Sequence, residues 1–128
     1  MRILIADDSC LVLERLQSLL GEIDQVEIVA SVSNGDDALT AIKTLNPDLA
    51  ILDVSMPGLS GLEVLKTIRN ENNAVIFILI TFHSAGYIKQ LAIQSGTNHF
   101  FNKADDLEQI YHIVRRLSIE QKENNNYK

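Results

Sequence analysis

Five side chains able to carry chemistry stand directly after short apolar runs: Asp7 and Asp8 after ILIA, Asp53 after LAIL, Thr81 after FILI and Lys103 after HFFN. Three carboxylates brought to one place repel one another and raise at least one pKa unless a cation joins them. A hard divalent ion meets that need. Magnesium takes oxygen ligands, keeps several waters and commonly binds one or two carboxylates together with a phosphate, and manganese is an acceptable substitute. Cys10, His83 and His99 show no zinc-like spacing. A carboxylate between such an ion and a lysine is suited to attack phosphorus, because both cations neutralise charge on the transferring phosphoryl oxygens. Thr81 would hydrogen-bond one of those oxygens, a contact to an ionised group worth about 1.5–3 kcal/mol.

Taken singly, each residue has a bland role. An Asp-Asp pair opening a helix is often a cap, a lone aspartate often marks a turn, threonine favours strands, and lysine is an ordinary surface charge. Their joint placement depends on the elements that carry them. Short aliphatic runs at 3–6, 26–32, 49–52, 75–80 and 99–102 alternate with stretches of helical periodicity, the pattern of five βα units around a parallel sheet. Several runs are continuous, as strands covered on both faces should be.

Leu13, Leu16, Leu20 and Ile23 give the first helix its apolar face, with Ser9 as N-cap. A second helix spans 36–45 and stops at Asn46 and Pro47, and Leu62, Leu65 and Ile68 form the stripe of a third. The fourth covers 84–94 with Gly96 as its stop. The fifth begins after Asp105 or Asp106 and turns Leu107, Ile110, Ile113, Val114 and Leu117 to one side. Right-handed crossovers then make a doubly wound α/β sheet, flavodoxin-like, with strand order 2-1-3-4-5. In that architecture the carboxyl ends of the strands share one edge, and all five reactive residues fall on it.

The 128 residues fit one domain, set at 1–118, with 119–128 as a polar C-terminal tail. Seventeen acidic against eleven basic residues argue against direct nucleic-acid or anionic-membrane binding. The single cysteine suits a reducing compartment, and the first apolar run is cut by Asp7, too early for a signal or membrane segment. A cytoplasmic protein is expected.

With ILIADDS at the first strand, AILDVSMPGLSG around the third, LITF at the fourth and HFFNK at the fifth, the sequence resembles the receiver domains of two-component response regulators over residues 2–117. The resemblance implies a phosphorylation-dependent signalling switch, in a stand-alone, chemotaxis-regulator-like form or with an output domain missing. Asp53 would accept a phosphoryl group from a sensor histidine kinase or phosphotransfer protein. Asp8 would bind magnesium directly, Asp7 mainly through water, and Asp53 and the Ser55 backbone carbonyl would complete the protein's share. Thr81 and Lys103 would hold the phosphoryl group, and Met56, Pro57 and Gly58 would shape the following loop. Phe100 would turn inward as Thr81 moves. The readout face would be helix 4, strand 5 and helix 5, presented to a downstream protein, and dimerisation through the last two helices is left open. Such a domain is not an enzyme for a separate substrate; it catalyses its own phosphorylation and dephosphorylation.

Three positions depart from the family pattern. Phe82 replaces a small residue, Ala104 replaces a proline and so removes a slow cis peptide, and neither Ser55 nor His83 is an acid or amide that would position a hydrolytic water. A long-lived phosphoryl state is expected. The alternative is a phosphorylation-independent interaction module blocked by Phe82. An aspartyl-nucleophile phosphatase would want an aspartate where Ser55 stands, and a flavin phosphate would be repelled by Asp7 and Asp8.

Overall fold

The computed structural model describes residues 1–82 and 86–126. Five parallel strands, β1 (Arg2–Ala6), β2 (Glu27–Val32), β3 (Leu49–Asp53), β4 (Ile76–Thr81) and β5 (His99–Asn102), pair in the order β2-β1-β3-β4-β5. They alternate with α1 (Cys10–Gly21), α2 (Gly35–Leu45), α3 (Gly61–Asn70), α4 (Gly86–Gln94) and α5 (Leu107–Asn126). The doubly wound order read from the sequence is therefore the observed one.

The two-residue periodicity of the strands divides the core into two layers. Leu4, Ala50, Leu52, Phe77 and Leu79 face Ile42, Leu65, Ile68 and Ala92 of α2, α3 and α4. From the opposite side Ile3, Ile5, Ile51, Ile78 and Ile80 meet Leu16 and Leu20 of α1 and Ile110 and Val114 of α5. Strands apolar on both faces need continuous aliphatic sequence, which accounts for LAIL and FILI.

Local signals set most helix ends. Ser9 caps α1 through the Val12 N–H, 3.3 Å from its hydroxyl. Ser60 and Glu63 form a reciprocal capping box at the start of α3. Gly96 ends the α4 segment with φ of 101°, a left-handed conformation that glycine adopts at little cost. Asp106 precedes α5 and accepts a hydrogen bond from the Asn102 N–H at 2.9 Å, tying the helix to the end of β5. The expected start of the fourth helix at Ser84 lies outside the described residues, as does His83.

The polar stretch expected as a tail is instead helical as far as Asn126. Its glutamates, glutamine and lysine are good helix formers, and neither glycine nor proline interrupts it. Once nucleated by the packed turns before it, such a helix propagates at little cost per residue. Arg116 and Glu120, one turn apart at 3.9 Å, lend a weak surface pairing. No helix among the described residues is long and apolar enough to cross a membrane.

Candidate functional site

At the carboxyl edge of the sheet, backbone hydrogen bonds fix the site before any side chain is considered. The Asp7 N–H donates to the Val32 carbonyl at 3.1 Å, Val54 N–H to Ile80 at 2.9 Å, and Lys103 N–H to Thr81 at 2.9 Å. Strand register alone thus brings the ends of β1, β3, β4 and β5 alongside one another.

Asp7, Asp53, Thr81 and Lys103 are all buried, whereas Asp8 and Ser55 are exposed at the rim. The Lys103 ammonium lies 2.7 Å from Asp53 Oδ2 and 2.8 Å from Asp7 Oδ2. Among the described residues only the Asp53 contact has hydrogen-bond geometry; Asp7 Oδ2 meets the ammonium as an ion pair and has no hydrogen-bond donor there. The other carboxylate oxygens are held by local turns, Asp7 Oδ1 by the Ser9 N–H at 2.8 Å and Asp53 Oδ1 by the Ser55 N–H at 3.1 Å.

One oxygen from each of Asp7, Asp8 and Asp53 lies within 4.8 Å of the others. Three carboxylates against one lysine leave an excess of negative charge at this edge, where Asp7 and Asp53 are buried and Asp8 is exposed. Burial pushes the Asp53 carboxyl above its ordinary value, and the nearby Asp7 charge adds to the rise; the Lys103 hydrogen bond opposes it without cancelling it. Burial alone would lower the Lys103 pKa, yet its close contacts with the charged Asp53 and Asp7 carboxylates together outweigh it and hold the ammonium above its usual value. An all-oxygen donor set, a net negative charge and a buried oxygen without a hydrogen bond fit a hard divalent cation. The same set is unsuited to zinc.

The amino-acid profile of the response regulator receiver domain matches residues 3–115. The chain belongs to this family. Receiver-domain relatives include the transcriptional regulatory protein DesR of Bacillus subtilis, 35% identical over 115 residues, which cover 90% of this chain and 57% of DesR. The DNA-binding transcriptional activator EvgA of Escherichia coli K12 is 31% identical over 110 residues, covering 86% of this chain and 53% of EvgA. The chain thus spans about half the length of these relatives. Among solved structures, the receiver domain of a NarL regulator from Mycobacterium tuberculosis superposes with a TM-score of 0.85 at 30% identity, over 91% of this chain and 94% of that one.

Within this receiver domain the five residues singled out by spacing do converge, and Phe100 lies half-buried against the α2/α3/α4 core layer. Two features escaped the sequence. The Phe82 ring centroid is 4.8 Å from Lys103 Nζ, so Phe82 bears on the lysine and not simply on the approach to Asp53. Gly61 packs against the end of β3 so tightly that an added Cβ would fall on the Asp53 carbonyl oxygen and 3.3 Å from Val54 Cα. The GLSG turn after Met56-Pro57 carried a signal for the second of these, though not its target. Gly61→Ala must displace that backbone; denaturant unfolding should show a loss of about 1–3 kcal/mol, the range for overpacking, and a midpoint equal to wild type would remove this role from Gly61.

Proposed function

We propose that the domain is a phosphorylation-dependent switch in which Asp53 accepts a phosphoryl group. The observation that carries this reading is the buried Lys103 ammonium held between Asp53 and Asp7, at the edge where Asp8 and Thr81 also arrive. Asp7, Asp8, Asp53 and the Ser55 backbone carbonyl would hold magnesium, with manganese as a substitute. When bound, the ion supplies positive charge to the phosphoryl oxygens.

The chain's own residues supply the rest. An Asp53 carboxylate oxygen attacks phosphorus, the bond to the donor's leaving atom breaks, and that atom departs with the electron pair. Lys103 and Thr81 then hold phosphoryl oxygens, and in doing so Lys103 exchanges part of its carboxylate pairing for a new anion. That exchange is the differential contact that a two-state response requires. Phe100 and the face of α4, β5 and α5 would carry the change outward. A sensor histidine kinase or phosphotransfer protein is the proposed donor, and a downstream protein or an output domain the proposed recipient, all in the cytoplasm. Phosphoryl gain and loss are both catalysed by the domain itself.

Incubation with magnesium and acetyl phosphate followed by intact-mass measurement tests this reading. Wild type should gain one phosphoryl group and Asp53→Asn none. A wild-type mass that stays unchanged would favour the phosphorylation-independent module, the reading to which the aromatic cover on Lys103 lends some weight.

A further inference from the structure

Phe82 is an exposed large apolar side chain, 57% accessible, at the mouth of a site in which Asp7, Asp53, Thr81 and Lys103 are buried. Its ring lies 4.8 Å from Lys103 Nζ, while the Lys103 side chain itself is only 4% accessible. The ring therefore lies against an ammonium that solvent hardly reaches. The contact is built into the backbone, since Phe82 follows the last residue of β4 and Lys103 follows the last of β5, and the Lys103 N–H is bonded to the Thr81 carbonyl at 2.9 Å.

An ammonium has three donor directions. Asp53 takes one at 2.7 Å, Asp7 lies at ion-pair distance at 2.8 Å, and the π face of Phe82 takes up a further side. A cation above an aromatic face is attracted by the ring quadrupole, and the attraction grows where water is excluded. The charge thus has two carboxylates and an aromatic face against it before any phosphoryl group arrives.

We propose that Phe82 is a positioning residue that holds Lys103 in its resting pairing and so slows phosphoryl transfer in both directions. The proposal rests on Asp53 as phosphoacceptor and adds a kinetic control specific to this chain. On gain, the Asp53 oxygen–phosphorus bond forms as the donor's phosphorus–oxygen bond breaks, with acetate leaving when acetyl phosphate is the donor. Lys103 has to turn part of its charge from the ring and carboxylates toward the phosphoryl oxygens as this happens. On loss, a water oxygen attacks phosphorus, the bond to Asp53 breaks to restore the carboxylate, and the water's protons pass to phosphate and solvent. In this direction too Lys103 has to shift its charge away from the ring.

The test uses the whole chain with magnesium and acetyl phosphate, following phosphoryl gain and, after donor removal, loss by intact mass. Phe82→Ala, Phe82→Leu and Phe82→Tyr separate charge from bulk, and the exposed position should allow all three to fold. Alanine and leucine should both raise the maximal rates of gain and loss about two- to fivefold, the range expected for an exposed cation–π contact. Tyrosine, which keeps the ring face, should match wild type, and the acetyl phosphate concentration giving half-maximal rate should change little. A leucine variant with wild-type rates would assign the effect to bulk and overturn the lysine contact; equal rates in all four proteins would overturn any role for Phe82. Absence of phosphoryl gain in every protein would instead overturn the phosphoacceptor reading, and this inference with it.

Discussion

Replacing Lys103 with methionine should destabilise the domain by about 3–5 kcal/mol at neutral pH in chelator, the cost of breaking a buried ion pair by removing one partner. Methionine fills much of the same volume, so the loss measures charge and not a cavity. Two buried carboxylates, Asp7 and Asp53, would then face each other and exposed Asp8 with no cation between them. Urea unfolding at constant ionic strength provides the measurement. A loss below 1 kcal/mol would show that the ammonium is not what neutralises this edge. The pH dependence carries its own sign. The Lys103 pKa is raised in the native state, so its contribution is fully present below the ordinary lysine value of 10.5 and is lost as pH climbs through the raised one. The methionine variant should lack that alkaline loss. Asp53, already raised by burial and now without the Lys103 hydrogen bond, should make it less stable as pH rises through the carboxylate range.

Divalent ion and Asp53 should act against each other. In chelator, Asp53→Asn should stabilise the domain, because the native pKa of Asp53 is raised chiefly by burial and further by Asp7, which means that its ionised form is the penalised one. Between the ordinary carboxylate value of 3.8 and the raised value the folded protein binds the proton more tightly than the unfolded chain, so wild-type stability falls as pH rises there. A gain of about 1 kcal/mol would appear as roughly 3–5 °C in Tm for a domain of this size. Magnesium at a hundred times its Kd should add about 2.7 kcal/mol to wild type and much less to the asparagine variant. The order of stabilities would then invert on adding the ion, a crossing that neither a general salt effect nor a structural role for Asp53 produces. Equal shifts in both proteins would separate Asp53 from the metal site.

The sheet order and all four strand ends of the site were legible because aliphatic runs mark buried parallel strands and a parallel sheet puts every carboxyl end on one edge. Strand limits moved by a residue: β4 takes in Thr81 and β3 takes in Asp53, since register with neighbouring strands, not side-chain polarity, decides where a ladder stops. Helix α5 runs past its apolar stripe to Asn126, through a stretch whose sequence marks only a frayed helix end and polar tail although its backbone preference is helical. The cover formed by Phe82 was legible only as bulk. Its bearing on Lys103 depends on two strand ends lying side by side, a relation that spacing along the chain does not encode. Gly61 belongs to the same class, being defined by what its missing side chain would strike.

Arg69, at the end of α3, donates to the Gly96 carbonyl at 3.0 Å, the Asn73 carbonyl at 2.8 Å and Asn98 Oδ1 at 3.0 Å, and its guanidinium lies 5.1 Å from the Phe77 ring centroid. Asn98 also accepts from the Phe77 N–H at 2.9 Å. These contacts rivet the amino ends of β4 and β5, opposite the edge where Asp53 sits. A displacement of the carboxyl ends, at Thr81 and Lys103, would then pivot about this anchored end. The arm so anchored is short, since β5 has only 4 residues.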